Sequence, residues 1–503
     1  MANIKVLILY PNPRKMALMY GTIALFSALL KREGVTVELF DTSLYKEQGL
    51  LDPEEVAEKY LMYKLASHKY KNIVTTNDID VYSALSSKTK EFKPDLICVT
   101  CVESTFEYGI SLLKTISDEK ILTIMGGLFA TFSPDYTLSY DEIDIVCVGE
   151  GEKALVDLVR RLKSGSDYSS TDNLCFKNNG KIIKNKIGCP IPLDELPLGD
   201  FEIFNENRIY RAMEGEIYRM APIETHRGCN NICTFCNSPL QNQIYKNQTG
   251  EKYFRAKSLQ RIYEEIKYFV DTLKADYMFF WADNFFTFSL EDIEAFCEMY
   301  VEFQLPFYCQ SYPTTINEGK LKLLKRVGLH KLGVGIEHGN ENFRNNIIKR
   351  NYSNTQAIRS LSLLKKYEVA FSTNNIIGFP DETPELVMDT VELNRAIDPD
   401  TASCSIFTPF RGTPLREYAI KKGYLRDPDL IAPSNLDSSV LDMPQFTKEQ
   451  IEGKRRAFEY YIRFPRKRWK EISRIEKLTP ESERLWEELR QEYVEKYCTE
   501  NNV

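Results

Sequence analysis

The stretch "ETHRGCNNICTFCNSPL", residues 224–240, places Cys229, Cys233 and Cys236 within eight positions and supplies no fourth thiol beside them. A disulfide uses two sulfurs, and a closed structural zinc site uses four ligands. Three crowded thiols point instead to a metal centre with one position left over. A zinc ion completed by His226 or His338 is one form of such a centre, and an iron–sulfur cluster is another. The remaining nine cysteines follow no spacing framework and read as small buried residues. Cys309 stands apart because it falls on a strand expected to face the site.

Downstream of the triplet, from about residue 257 to 425, helical periodicity alternates with short apolar runs, as in "YFVDTLKADYMFFWADN", "LLKRVGLHKLGVGIEHG" and "LLKKYEVAFSTNNIIGFPDET". This is the layout of a parallel barrel or partial barrel, whose active site lies at the carboxyl ends of its strands. The triplet follows the first strand, "APIETHRG". Upstream, "KVLILY" (5–10), "VTVELF" (35–40), "DLICVT" (95–100), "ILTIMGG" (121–127) and "IDIVCVG" (143–149) are apolar without alternation, as strands buried on both faces are. With helices between them they predict a doubly wound parallel α/β sheet. Its strand-end loops are "YPNP" (10–13), "TCVEST" (100–105), "GGLFAT" (126–131) and "GEGE" (149–152), and ligands bind at such ends. Taken alone, the two glycine loops also read as ordinary tight turns.

The reading divides the chain into a sheet domain at 1–162 with a helical insertion at 44–92, a turn-rich linker at 163–220, the barrel at 221–425 and a helical region at 426–503. The chain has 503 residues, 43% hydrophobic and 27% charged, enough for several cores. A net charge of -7 gives no global attraction to nucleic acid or an anionic membrane. The basic run "RFPRKRWK" (463–470) reads as a solvated helix face. The start "MANIKVLILYPNP" lacks a secretory pattern, and no apolar run approaches the roughly 20 residues of a membrane span. A cytoplasmic location follows as the expectation.

Cys229-x3-Cys233-x2-Cys236, with Phe235 before the last cysteine, resembles the cluster loop of radical S-adenosylmethionine enzymes. The resemblance implies three thiolates on three irons of a 4Fe–4S cluster, the fourth iron being left to S-adenosylmethionine. "TIMGGLFATFSPDYTL" and "IDIVCVGEGEKALVDLV" are similar to the cobalamin-binding domain that precedes the barrel in a large subgroup of these enzymes. On this resemblance Thr100, Gly126, Gly127 and Glu150 contact cobalamin, while Phe235, Asp283, Asn284, Glu337, Asn375, Gly378 and Pro380 surround S-adenosylmethionine. The third strand carries Tyr312 and Pro313 where the family often has a basic residue, and no histidine precedes His68 to ligate cobalt.

The implied reaction is methylation of an unactivated carbon of a small-molecule or peptide substrate. One S-adenosylmethionine supplies the methyl group, a second supplies the radical, and a flavodoxin or ferredoxin supplies the electron. A radical rearrangement, ring formation or oxidative cyclisation with the same cofactors is the alternative, and a non-catalytic cobalamin or redox sensor is a third. The 44–92 insertion is a candidate lid.

Overall fold

The computed structural model describes residues 4–13, 19–45, 53–62, 77–178 and 180–498. The amino-terminal half is a seven-stranded sheet of β1 (Lys5–Tyr10), β2 (Thr36–Asp41), β3 (Leu96–Thr100), β4 (Leu122–Gly126), β5 (Ile145–Cys147), β6 (Leu174–Asn178) and β7 (Lys181–Lys184), in the order β2-β1-β3-β4-β5-β6-β7. The first five strands are parallel, and β1, β3 and β5 are wholly apolar in their centres, as strands covered by helices on both faces are, while the edge strand β2 carries Glu38 and β4 carries Thr123. β1 pairs with β2 on one side and β3 on the other, so the chain reverses its winding between β1 and β3. A crevice opens at the carboxyl ends of strands at such a switch point.

The segment at 163–220 carries a hairpin at "CFKNNGKIIKN" (175–185), as that stretch of its sequence suggests. β6 and β7 form an antiparallel hairpin that extends the first sheet beyond β5, and β8 (Tyr210–Met213) pairs with the first barrel strand. The second half of the insertion also has a definite place. The helix Val81–Phe92 buries Val81, Leu85 and Phe92 and serves as the crossover from β2 to β3. Of the first half, the helix Pro53–Lys59 is described, and residues 46–52 and 63–76 lie outside the described residues.

The second sheet contains β8, β9 (Glu216–Glu224), β12 (Tyr277–Trp281), β13 (Phe307–Ser311), β14 (Leu329–Glu337), β15 (Ala370–Ile377) and β16 (Thr401–Ile406), with β9 through β16 parallel in sequence order. A short ladder of β10 (His226–Arg227) and β11 (Arg255–Ala256) stands beside it. Five of the helices between these strands begin at a side chain that accepts a backbone N–H: Ser258, Ser289, Asn317, Ser353 and Thr383. Such caps satisfy donors that the first helical turn leaves orphaned. The result is a six-stranded partial (β/α) barrel.

One hydrophobic core runs through both halves. It joins Ile23 and Ala24 of the first domain to Ile223 and Ile266 of the barrel through Phe201, whose ring centroid is 4.6 Å from that of Phe269. A second core packs β15 and β16 against the carboxyl-terminal helices Lys448–Arg463 and Pro480–Tyr497. Buried Glu103, which opens the helix after β3, accepts the backbone N–H groups of Arg411 at 2.9 Å and Ala432 at 2.8 Å. Its carboxylate also meets Arg416 at 3.3 Å, so polar ties fix the same domain arrangement.

The two glycines that end β4 differ in their demands. A Cβ on Gly127, whose φ is +101°, would overlap the Cys101 carbonyl oxygen, while one on Gly126 would meet Cys147 Cβ at an ordinary 3.7 Å. Gly127→Ala should therefore cost about 1–3 kcal/mol in urea unfolding through overpacking and strain. Gly126→Ala should stay within about 0.5 kcal/mol of the parent.

Candidate active site between the two domains

Both sets of strand ends open into one cavity of about 850 Å³. From the first sheet it is lined by Tyr10 and Asn12 after β1, Thr100 and Val102 after β3, and Gly127 and Leu128 after β4. From the barrel it is lined by lumen residues of β9 and β12 to β16. Tyr20, Val102, Leu128 and Trp281 are all exposed large apolar side chains, and all four line this cavity. Apolar surface concentrated inside a cleft marks a ligand site.

The cysteine loop is pegged to the barrel from several directions. The Thr234 hydroxyl donates to the Ile347 carbonyl at 2.6 Å, the Asn242 amide donates to the Cys229 carbonyl at 2.6 Å, and Asn237 donates to the Arg411 carbonyl at 3.0 Å. Each sulfur faces its own N–H donor: Asn231 Nδ2 to Cys229 at 3.4 Å, Ser238 N to Cys236 at 3.4 Å and Arg350 to Cys233 at 3.7 Å. Burial pushes the Cys233 thiol up to about 11, so the group is inert as a free thiol, and a metal must displace its proton to bind. The donor set fits three thiolates of a cluster.

Both histidines that could complete a zinc site with the triplet have neighbours of their own. The His226 ring lies 5.2 Å from Phe254 and 5.3 Å from Phe288, and burial lowers it to about 4, which keeps it neutral. His338 is engaged at both nitrogens. Its Nδ1 accepts the Asn340 N–H at 3.1 Å, which places the proton on Nε2, and Nε2 donates to Glu382 at 3.0 Å.

Glu382 is fully buried and was not anticipated from the sequence. Its second oxygen accepts the N–H groups of Gly378 at 2.5 Å and Phe379 at 3.0 Å, so one carboxylate ties the end of β15 to the segment after β14. Arg350 was also missed. Its guanidinium sits 3.3 Å from Glu337, donates to the Gly335 carbonyl at 2.6 Å and covers the Tyr312 ring at 4.3 Å. It thereby brings a cation to the third-strand end that Tyr312 and Pro313 leave uncharged. Burial works against that charge, and the Glu337 carboxylate together with Cys233, Tyr352 and Tyr312 more than offsets it.

The other expected residues divide into three groups. Thr100 and Gly127 line the cavity, and Glu337 stands with Arg350 beside Cys233. Phe235 packs edge-on to Phe379 at 5.9 Å next to buried Pro380, and Asp283 accepts from Ser238 Oγ at 3.3 Å, directly beside the cysteine loop. The remaining polar groups are spent on protein. Asn284 Oδ1 accepts from Thr315 Oγ1 at 3.1 Å and from the Tyr312 N–H at 3.3 Å, and Asn375 donates to the Ser403 carbonyl at 3.0 Å. Glu150 is bound by Arg227 at 3.0 Å and by Arg255. Gly126 packs against Cys147, and Cys309 packs into the core between barrel and helices while its neighbours Tyr308 and Gln310 face the lumen.

Asn12 provides a further test for a ligand at the switch point. Its backbone is pinned by Thr42, and its Nδ2 donor, beside the Tyr10 hydroxyl, is buried in the cavity wall with no well-formed hydrogen bond among the described residues. A buried donor left open costs about 1–3 kcal/mol unless a ligand or water meets it. Corrin side-chain amides offer such acceptors.

Residues 223–393 match the radical SAM superfamily and residues 51–159 match the B12-binding domain, together more than half of the chain. The chain is a radical S-adenosylmethionine enzyme with a cobalamin-binding domain, and its cofactors are a 4Fe–4S cluster, S-adenosylmethionine and cobalamin. It is 29% identical over 390 residues to an uncharacterized methyltransferase of Pyrococcus horikoshii, covering 76% of this chain and 82% of that protein. It is 24% identical to the anaerobic magnesium-protoporphyrin IX monomethyl ester cyclase of Cereibacter sphaeroides, covering 69% of this chain and 56% of the cyclase. The fold resembles the methyltransferase TsrM of Kitasatospora setae with a TM-score of 0.63 at 16% identity, over 84% of this chain and 79% of TsrM. It resembles the radical enzyme OxsB with a TM-score of 0.64 at 14% identity, over 99% of this chain and 76% of OxsB. No described helix is long and apolar enough to cross a membrane.

Two measurements test this site. Anaerobic reconstitution should load about four irons, and replacing Cys229, Cys233 and Cys236 together with Ala should abolish the cluster absorbance. Glu382→Gln places an amide where three N–H donors need acceptors. It should lower unfolding free energy by about 1–3 kcal/mol, read by urea denaturation, and weaken S-adenosylmethionine binding in parallel.

Proposed function

We propose that the protein methylates an unactivated carbon of a small-molecule or peptide substrate held in the interdomain cavity. The observation that carries this reading is the single cavity lined by both the cobalamin-side strand ends and the barrel lumen. A methyl carrier and a radical source must reach the same carbon, and holding reactants in register is the largest demand on such a site. The identity with the Pyrococcus horikoshii methyltransferase supports the same assignment. When bound, the cluster with S-adenosylmethionine supplies a hydrogen-abstracting radical, and cobalamin supplies the methyl group.

The chain's own residues position and shield. Arg350 and Glu337 offer one positive and one negative group beside the cysteine loop, complementary to the carboxylate and amino group of S-adenosylmethionine. Glu382 holds the Gly378–Phe379 backbone against which the nucleoside rests. Asn12 donates toward the corrin periphery, and Val102 and Leu128 cover its apolar face. The helix Pro53–Lys59 forms part of a lid, since Glu55, Glu58 and Met62 line the cavity. Its latch is Tyr60, over whose ring Arg455 lies at 4.2 Å and whose centroid is 6.3 Å from that of Trp486. The electron comes from outside the chain, from a reduced flavodoxin or ferredoxin.

Product analysis tests the reaction. A methyltransferase of this kind consumes two S-adenosylmethionine molecules per turnover and should release 5′-deoxyadenosine and S-adenosylhomocysteine in nearly equal amounts. Ring formation, the reading suggested by the cyclase relative, would release 5′-deoxyadenosine without matching S-adenosylhomocysteine. Tyr60→Ala should loosen the lid and raise the 5′-deoxyadenosine formed per methylated product; an unchanged ratio would place the water barrier elsewhere.

A further inference from the structure

The donors that face the three cysteine sulfurs are not alike. Cys229 meets the side-chain amide of Asn231 and Cys236 meets the backbone N–H of Ser238, both neutral, whereas Cys233 meets the guanidinium of Arg350 at 3.7 Å. Charge-assisted hydrogen bonds are about twice as strong as neutral ones. Hydrogen bonds to the ligands of a cluster, and the charge around them, set how readily it accepts an electron. Three thiolates leave an oxidised 4Fe–4S cluster with a net negative charge, and reduction adds to it. A fixed cation beside one sulfur therefore favours the reduced form, and a fixed anion opposes it.

The chain builds this cation in. β14 follows β15 in register as far as Gly335 and shifts before Glu337, and Glu337 takes a φ of +65°, which residues other than glycine rarely adopt. Irregularities of this kind re-aim a side chain, and strained backbone gathers at functional positions. Here the Glu337 carboxylate comes within 3.3 Å of Arg350. Gly335 makes the room, because a Cβ on it would overlap a Glu337 oxygen and stand 3.2 Å from Arg350 Nη2. That Nη2 donates to the Gly335 carbonyl at 2.6 Å, the guanidinium carbon lies 4.3 Å from the Tyr312 ring centre, and Arg350 is 7% exposed. The planar fork is thus held in one orientation. Burial is the largest influence on the Cys233 thiol and raises it; Arg350 comes next and lowers it, and Glu337 follows and raises it. At the sulfur the positive end of the ion pair dominates.

We infer that Arg350 tunes the cluster through Cys233: its guanidinium raises the reduction potential, and Glu337 holds that rise in check. The electron comes from an external one-electron donor, and its uptake makes and breaks no bond in the protein. This role needs the cluster alone, so it stands or falls apart from the methylation assigned to the cavity.

Reductive titration of the anaerobically reconstituted full-length protein with titanium(III) citrate, without S-adenosylmethionine and read by the low-temperature paramagnetic resonance of the reduced cluster, tests this role. Arg350→Gln keeps an N–H donor and removes the charge. It should shift the reduction equilibrium at least about tenfold toward the oxidised form, which is ~59 mV for one electron. Glu337→Gln should shift it the opposite way. Arg350→Lys keeps the charge and loses the fork, and should lie nearer the parent than Arg350→Gln does. Arg350→Gln combined with Glu337→Gln leaves no lone buried charge and should lie below the parent, because the cation outweighs the carboxylate at Cys233. Iron content at the parent level shows that a variant holds its cluster. Where a single variant does not, the double variant decides: a potential below the parent supports the inference, and one at or above it overturns it. A loaded Arg350→Gln indistinguishable from the parent, or single variants that shift in the same direction, would overturn it equally. A merely structural role changes iron content and stability without giving a pair of opposite shifts.

Discussion

The Arg227 guanidinium is the point on which the arrangement of the two halves depends. It lies two residues before Cys229 and is shared among Glu224 of the first barrel strand, at 3.0 Å, and Glu150 and Glu152 of the amino-terminal sheet, at 3.0 and 2.7 Å. The β10–β11 ladder sets Arg255 directly opposite Arg227, and Arg255 binds Glu150 as well. Burying such a network gains little net stability, because desolvation consumes most of the Coulomb attraction. Its effect is geometric, since any displacement of the cysteine loop relative to the sheet strands a buried charge. The Tyr245 hydroxyl completes the joint by accepting the Glu150 N–H at 2.7 Å.

This joint explains why the glycine-flanked loop after β5 makes no cavity wall. At an open switch point the ligand belongs at the crevice between β1 and β3, and the loops of β1, β3 and β4 line the cavity accordingly. The β5 loop, one strand further out, meets the barrel instead. Function at the strand ends is thus divided by distance from the switch point, the inner loops facing ligand and the outer one facing protein.

The elements that were legible in the sequence are those with a local signature. Apolar runs without alternation gave the parallel strands, apolar positions three and four apart gave the barrel helices, and the cysteine spacing marked the centre. Residues whose roles depend on register were not legible. Asn284 and Asn375 sit at strand ends that suit a ligand, yet each is turned to a neighbouring loop or strand, and nothing in "ADN" or "STNN" encodes that direction. Arg350 and Glu382 have the converse history. One stands in an unperiodic stretch and the other follows Gly378 by four residues, and each gains its meaning only when β14 and β15 lie side by side. Cys309 shows the same limit, because a single-residue shift in strand phase decides between lumen and core.

The latch on the helix Pro53–Lys59 has a consequence for the order in which the molecule is made. Tyr60 and Glu58 belong to the first eighth of the chain, whereas Arg455, Trp486 and Arg490, which hold them, belong to the last. During synthesis the sheet and the barrel can assemble around their shared core while this helix still lacks its partners. On the lid reading proposed for this helix, a nascent chain presents an open-sided chamber until the final helix docks.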